Sequence, residues 1–546
     1  MAHADKHLKD GLEKQGIPPY NTRQERVMST NSRTKRTIQN STISLILYFI
    51  QIFVGFFSRK IFLEHLGDEV LGVNTMLGNI LSFLNLAELG IGIAMATSLY
   101  KPLHDQDKNS ICEIISVQGY LYKYIAYILC FLSIPVLIAI PLLFPHTECG
   151  LLYIYIAYVV FLWGALSSYL WNYRQILITA DQKNFKLNPW KHAVRYIKIT
   201  AQIICLTIIN LGIWGWISLE LFEGIFTIFV INAILRREYP WLRTSSKAGK
   251  QLLDKYRHLI TMTKQLFIHK ISSFVLEQTA PWIIYGYVSI VMVTYYSNYM
   301  MLISYVVMLM NAIFEGMGAS IGNLISENNK EHTLNVFWEL FTSRLWISGI
   351  ACFALYISIE PFISLWIGSK YILEESTLLL LIVGMYIRLS RSVIDSFKLA
   401  YQLFGDIWAP IAEACINLGC SILFGYWWGL DGVILGSNLS LVIIVLIWKP
   451  YYTFTQGLYA SWGKYYIQYA YHTCILTLCA YCTLKIVDSS YQQISNYSQI
   501  IIYASISILI YTLFTYIILL ISTEGMRSFT RRLQQIFIKL THRHES

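Results

Sequence analysis

The chain has 546 residues, 55% hydrophobic and only 14% charged, with a mean hydropathy of +0.49. Soluble domains carry about a quarter charged residues, so this composition excludes a string of soluble domains and describes an all-α polytopic membrane protein. The net charge of +10 sits in loops and tails, where no folded soluble domain presents it, which excludes a nucleic-acid partner.

Residues 1–40 are polar and basic and read as a disordered cytoplasmic arm. The run MSTNSRTKRTIQNS from Met28 resembles a natural start, so 1–27 is expected to be an extension. A spanning helix needs about 20 mostly apolar residues. That rule places six helices in an N-lobe at 41–235, near 41–62, 71–99, 114–140, 151–172, 187–209 and 213–235. A basic cytoplasmic loop follows at 236–261. Six more helices fill a C-lobe at 262–449, near 262–288, 294–322, 336–360, 374–403, 408–427 and 432–449. Two extra helices, near 466–486 and 498–522, occupy 450–522 and bring the total to about fourteen. The tail at 523–546 sets Phe529, Leu533 and Leu540 at helical spacing beside Arg531, Arg532, Lys539 and Arg543. It reads as an amphipathic basic cytoplasmic helix on the inner leaflet.

Lys and Arg crowd the arm, the 174–191 loop, the 236–258 loop and the tail. The opposite loops, near 66–70, 141–150, 210–213, 289–293 and 428–431, have none, with Lys370 and Lys485 the main exceptions on that side. This bias puts both termini in the cytoplasm.

The chain repeats itself. LAELGIG at 86–92 carries Glu88, Gly90 and Gly92, and AIFEGMGASIGNLI at 312–325 carries Glu315, Gly316 and Gly318. Each copy runs into a polar turn, KPLHDQDK at 101–108 and ENNKEH at 327–332. Arg174 then matches Lys398, Pro189 matches Pro410, and GIWGW at 212–216 matches GLDGV at 429–433. Four pairs in one order, both units starting from the same side, describe a parallel repeat of six helices about an axis along the membrane normal. A carboxylate beside helix-loosening glycines at membrane depth, present twice, is the pattern of a transporter built by duplication.

A charge at membrane depth costs roughly 2.5–3.5 kcal/mol on insertion scales, so such residues face a cavity or a partner. Helix five carries Lys191, Arg195, Lys198 and Gln202 on one face. Helix ten carries Arg388, Arg391, Asp395 and Lys398. Lys264, Lys270 and Glu277 on helix seven, Arg344 on helix nine, and Arg59 and Lys60 on helix one complete the set. The bland readings are that Lys191 and Lys264 snorkel to the surface, that Arg59 and Lys60 flank an interface, and that Asp395 neutralises Arg391 or Lys398. Glu88, Glu315, Glu223 and Glu413 are structural partners on that view. Together, the two stripes predict a basic, water-accessible cavity suited to an anion such as a phosphate. No G-x-x-x-x-G-K-[ST] loop, catalytic outer domain or Ser/His/Asp grouping stands out, and Cys479 and Cys482 lack further ligands, so neither an enzyme nor a metal site is expected.

The run RKIFLEHLGDEVLGVNTMLGNILSFLNLAELGIGIAMATSLYKPLHDQDK at 59–108 closely resembles the Wzx-type polysaccharide flippases. These belong to the multidrug/oligosaccharidyl-lipid/polysaccharide exporter superfamily, and the resemblance extends over nearly all of 28–522. It implies a MATE-like fold of two six-helix lobes plus two C-terminal helices in a bacterial inner membrane. The implied activity is flipping an undecaprenyl-diphosphate-linked oligosaccharide by alternating access, for O-antigen (lipopolysaccharide), capsule or exopolysaccharide biosynthesis. The implied partners are that lipid-linked glycan, the bilayer, and a polysaccharide polymerase with its chain-length machinery. On this reading Arg59, Lys60, Arg195, Lys198, Lys270, Arg344, Arg388, Arg391 and Lys398 line the substrate cavity. Glu88, Gly90, Gly92, Glu315, Gly316, Gly318 and Asp395 serve hinge bending or coupling to H+ or Na+, with no other cofactor. The alternative is a cation-coupled MATE-type multidrug exporter, whose acidic cavity the interior Arg and Lys argue against. A membrane glycosyltransferase or polymerase would need a large outer loop, and none is present.

Overall fold

Inside lipid an apolar chain must satisfy its own backbone, and a helix does so within one segment. The structure, a computed structural model, describes residues 20–544 except 85–90, 146, 258, 261–262, 264–273, 276–277, 315–320, 323, 326, 328, 402, 404 and 492–494. Every regular element among the described residues is helical. Among the described residues ten helical stretches are long and apolar enough to cross a bilayer, which makes this a multi-pass membrane protein.

Two compact units divide the chain. The first comprises 1–65, 84–146 and 150–267. Its helices are α1 (Tyr20–Leu84, shared at its end with the second unit), α2 (Ile91–His104), α3 (Lys108–Leu143), α4 (Leu151–Leu170), α5 (Ile176–Ala180), α6 (Asn184–Thr207), α7 (Gly212–Glu238) and α8 (Ser246–Leu252). The second comprises 66–83, 147–149 and 268–546. It holds α9 (Ala280–Tyr287), α10 (Ile290–Phe314), α11 (Lys330–Trp366), α12 (Glu375–Ser390), α13 (Ser392–Ala400) and α14 (Trp408–Ser440). After a π-helical stretch come α15 (Lys449–Thr453), α16 (Trp462–Tyr491), α17 (Tyr497–Ser522) and α18 (Glu524–His544).

Several expectations change. Residues 20–40, read as a disordered arm, continue α1 as helix. Their Arg, Gln, Glu, Lys and Met are good helix formers, and extending a nucleated helix is far easier than starting one. The helix α1 is interrupted at Gly67, whose φ of 84° suits a residue without Cβ. The segment after it belongs to the second unit, where Thr294 donates to the Asp68 carbonyl at 2.7 Å. Lys370, an exception to the charge bias, pairs with Asp68 at 3.0 Å. That hydrogen bond pushes its ammonium up to about 12. The expected helix five, α6, is not among the ten apolar stretches because its charges lower its hydropathy. The first half of the span expected near 262–288, including 264–273, lies outside the described residues, and its second half contains α9.

The loop after α7 is a docked strap rather than a free basic segment. Ser245 donates its backbone N–H to Ser116 Oγ at 3.1 Å, and Lys255 and Tyr256 both bond Glu113. A side chain on Gly249 would collide with the Ser116 carbonyl, so glycine permits the close approach of α8 to α3. In the second unit the core is aromatic. Phe337 packs edge-on against Phe397 at 5.2 Å and Phe454 at 5.1 Å, and Phe353 stacks on Tyr511 at 4.3 Å. The amphipathic tail is helical, and its start docks on α11. Met526 is fully buried, and Arg532 pairs with Glu339 at 3.0 Å.

Matched repeat positions take matched backbone roles. Gly212 and Gly429, which head the two similar turns, have φ of 57° and 55°. The two polar turns both supply an N-cap. Asp107 caps α3 by accepting from Asn109 and Ser110, and Asn329 caps α11 by accepting from His332.

Candidate functional site

The first unit's stripe runs along α6, and α7 answers it. Lys198 lies between Glu220 at 2.7 Å and Glu223 at 2.8 Å. Gln202, fully buried one turn on, donates to Glu220 at 3.0 Å and to the Trp216 carbonyl at 3.1 Å. A buried ammonium needs such a carboxylate and hydrogen-bond shell to offset desolvation. Lys191 reaches only Gln175, at 3.4 Å. Arg195 is exposed, and among the described residues it makes no ion pair. A cavity of ≈ 320 Å³ opens between α4, α6 and α7, with Lys191, Glu220 and Glu223 in its wall.

The second unit's stripe is broken. Its helix stops at Ser390 and restarts at Ser392, which frees the Leu389 carbonyl from regular pairing. Arg344, 1% exposed on α11, donates Nε–H to that carbonyl at 3.0 Å. The structure therefore places Arg344 as a strut under the break rather than on an open cavity wall. The same break sets Arg391 beside Asp395 at 3.0 Å. Lys449 reaches Asp395 at 3.7 Å from the start of α15. Buried Glu413, on α14, lies within electrostatic reach of Lys449, Arg391, Asp395 and Arg388, and Arg388 is also near Tyr296. The cluster thus holds three cations against two carboxylates. Among the described residues Arg388 has no carboxylate at ion-pair distance.

Lys398 is set apart from this cluster. Its ammonium bonds both oxygens of buried Asp406 at 2.6 Å, and Trp448 donates to the same carboxylate at 3.2 Å. That pair closes the turn before α14. Lys60 pairs with Glu64 at 3.9 Å on an exposed face, and Arg59 is half-buried beside it. Lys270, Glu88, Gly90, Glu315, Gly316 and Gly318 lie outside the described residues. Gly92 is described, and a Cβ there would meet Tyr122 Oη at an ordinary 3.6 Å. The sequence reading missed Lys449 as a site residue, because a Lys at the end of an apolar run looks like a flank to the membrane. The proline that follows it, in the first turn of α15, was the available signal of a new helical start there.

No protein-family model matches the chain, and no curated protein matches it. Solved structures do. Lipid II flippase MurJ in an inward closed conformation superposes with a TM-score of 0.61 at 18% identity, covering 88% of this chain and 98% of its own. An inward-facing multidrug resistance MATE family transporter of the MOP superfamily gives 0.54 at 14% identity, covering 76% and 98%. A Vibrio cholerae MATE transporter gives 0.50 at 13% identity, covering 79% and 99%. The fold is the one these transporters share. Two bundles with extra C-terminal helices in a MATE-like arrangement agree with the fold class read from the sequence, and at such low identity the likeness speaks for fold alone.

Proposed function

We propose that this chain is a flippase that moves a polyprenyl-diphosphate-linked oligosaccharide across the membrane by alternating access, for surface polysaccharide biosynthesis. The supporting observation is the basic cluster of the second unit, where Arg388, Arg391 and Lys449 outnumber Asp395 and Glu413. A diphosphate gains charge-assisted hydrogen bonds from such a group that water only partly replaces, and Arg388, which makes no ion pair among the described residues, can give them in the bidentate form. The glycan crosses through the aqueous interior while the polyprenyl tail stays in lipid. Asp395 and Glu413 are the described carboxylates suited to couple transport to a proton or Na+. A polymerase and chain-length machinery downstream follow from that substrate. Deleting the gene tests the reading. Lipid-linked oligosaccharide should accumulate on the inner leaflet and surface polysaccharide should disappear. A deletion strain with unchanged lipid-linked intermediates and a new drug sensitivity would instead select the cation-coupled exporter.

A further inference from the structure

The cavity of the first unit differs in kind from the basic cluster, and a diphosphate does not suit it. Its volume of ≈ 320 Å³ lies at the small end of ligand pockets, roughly 300–1,000 Å³. Glu220 and Glu223 in the wall are paired with Lys198 behind it, and Lys191 adds a second ammonium to the wall, so the formal charge of the four groups cancels. An entering phosphate would face both carboxylates and find one of the two lysines already held between them.

An unanswered hydrogen-bonding acceptor lies in the wall, and an unanswered donor lies behind it. Asn172 is 4% exposed, lines the cavity, and its side-chain oxygen has no hydrogen-bond partner. Trp163 Nε1 is a buried donor, also without one. It stands over Gly224, a lining residue whose missing side chain keeps that wall open, since a Cβ would lie 3.1 Å from the indole nitrogen. Orphan buried polar atoms are costly, on the order of 1–3 kcal/mol each, and an apolar occupant would leave them so. A polyol answers the Asn172 oxygen and the carboxylates as well as the Lys191 ammonium, because each hydroxyl both donates and accepts.

We propose that this cavity between α4, α6 and α7 binds an uncharged sugar residue, the glycan end of the lipid-linked substrate. The ligand's identity rests on the flippase reading above; the preference for a neutral polyol rests on the cavity alone. Carboxylates Glu220 and Glu223 accept from sugar hydroxyls, Lys191 donates, and Asn172 accepts. Lys198 pairs with both carboxylates and holds them in place, so it is a positioning residue.

Full-length protein in nanodiscs is titrated with three probes: undecaprenyl diphosphate bearing N-acetylglucosamine, bare undecaprenyl diphosphate, and soluble N-acetylglucosamine. Asn172→Leu and Glu223→Gln should each weaken the glycosylated lipid by about tenfold, the loss of one charge-assisted or orphan-satisfying hydrogen bond, while the bare lipid binds as in wild type. Thr227→Val, a near-isosteric change in the same wall, gives the same selective loss if either of the first two variants fails to fold. Equal losses for both lipids, or no loss for either, overturns the sugar site and leaves the flippase reading standing. Wild-type protein that binds neither lipid overturns the flippase reading. If that protein still binds soluble sugar, and the variants do not, the site stands with a free sugar as its ligand; if it binds none of the probes, both readings fall.

Discussion

The two stripes look alike in sequence and are opposite in electrostatics. On α6, Lys198 meets Glu220 and Glu223 from the neighbouring helix, and its charge is cancelled within the unit. On α12 and α13, the helix break at Ser390–Ser392 separates the cations, so that Lys398 is bound by Asp406 while Arg388, among the described residues, makes no ion pair. The lesson is that a row of basic residues at helical spacing says where charge lies along a helix. What the facing helix supplies decides whether that charge is available to a ligand.

Charge reversal should show that contrast most sharply. Arg388→Glu is expected to reduce export on the order of 100-fold or more, since it replaces an attraction for the anion by a repulsion. Arg195→Glu, exposed on the other stripe, should cost under about tenfold on the same ground. Surface polysaccharide at equal protein levels is the measurement, and equal losses from the two would erase the distinction between the units. Next in size is the triad. Lys198→Met leaves two neighbouring carboxylates uncompensated and should destabilise the protein by about 3–5 kcal/mol. Adding Glu223→Gln should recover part of that loss, read as a coupling free energy in a double-mutant cycle of thermal unfolding in detergent.

A smaller effect is expected at the strut under the break. Arg344→Met removes the bond to the Leu389 carbonyl, with a cost of about 1.5–3 kcal/mol. It should lower the thermal midpoint and loosen Arg388 and Arg391, so export should fall without any change of charge at the cluster itself. The smallest effect separates the two helix caps. Ser110, through its hydroxyl and its backbone N–H, and Asn109 hold the Asp107 carboxyl below its ordinary 3.8. A lowered native value means that its stabilisation is present above the ordinary value and disappears as pH falls through the native one. The stability difference between wild type and Asp107→Ala should therefore shrink under strong acid. The difference for Asn329→Ala, at the uncharged cap of α11, should not change with pH.

Much of the architecture was legible because lipid imposes it. Apolar runs near the length of a bilayer marked most of the helices, and the similar turns at Gly212 and Gly429 marked the repeat through a backbone geometry that favours glycine. The polar stretch from Tyr20 to Asn40 misled, since low hydropathy was read as disorder although its residues favour helix. The candidate residues were legible as a list and not as an arrangement. Lys198, Lys398 and Arg344 all read as lining a basic cavity, yet each is held by a partner on another element or across a turn.

By itself the sequence determined a helical, membrane-spanning, duplicated chain, because hydropathy and glycine placement act locally and can be read one segment at a time. Only the tertiary structure decided which of its interior cations are spent on Glu220, Glu223 and Asp406 and which, as Arg388 does among the described residues, stay out of an ion pair. The physical reason is that an ion pair depends on a few ångströms between side chains remote in sequence, and no spacing along one helix contains that distance.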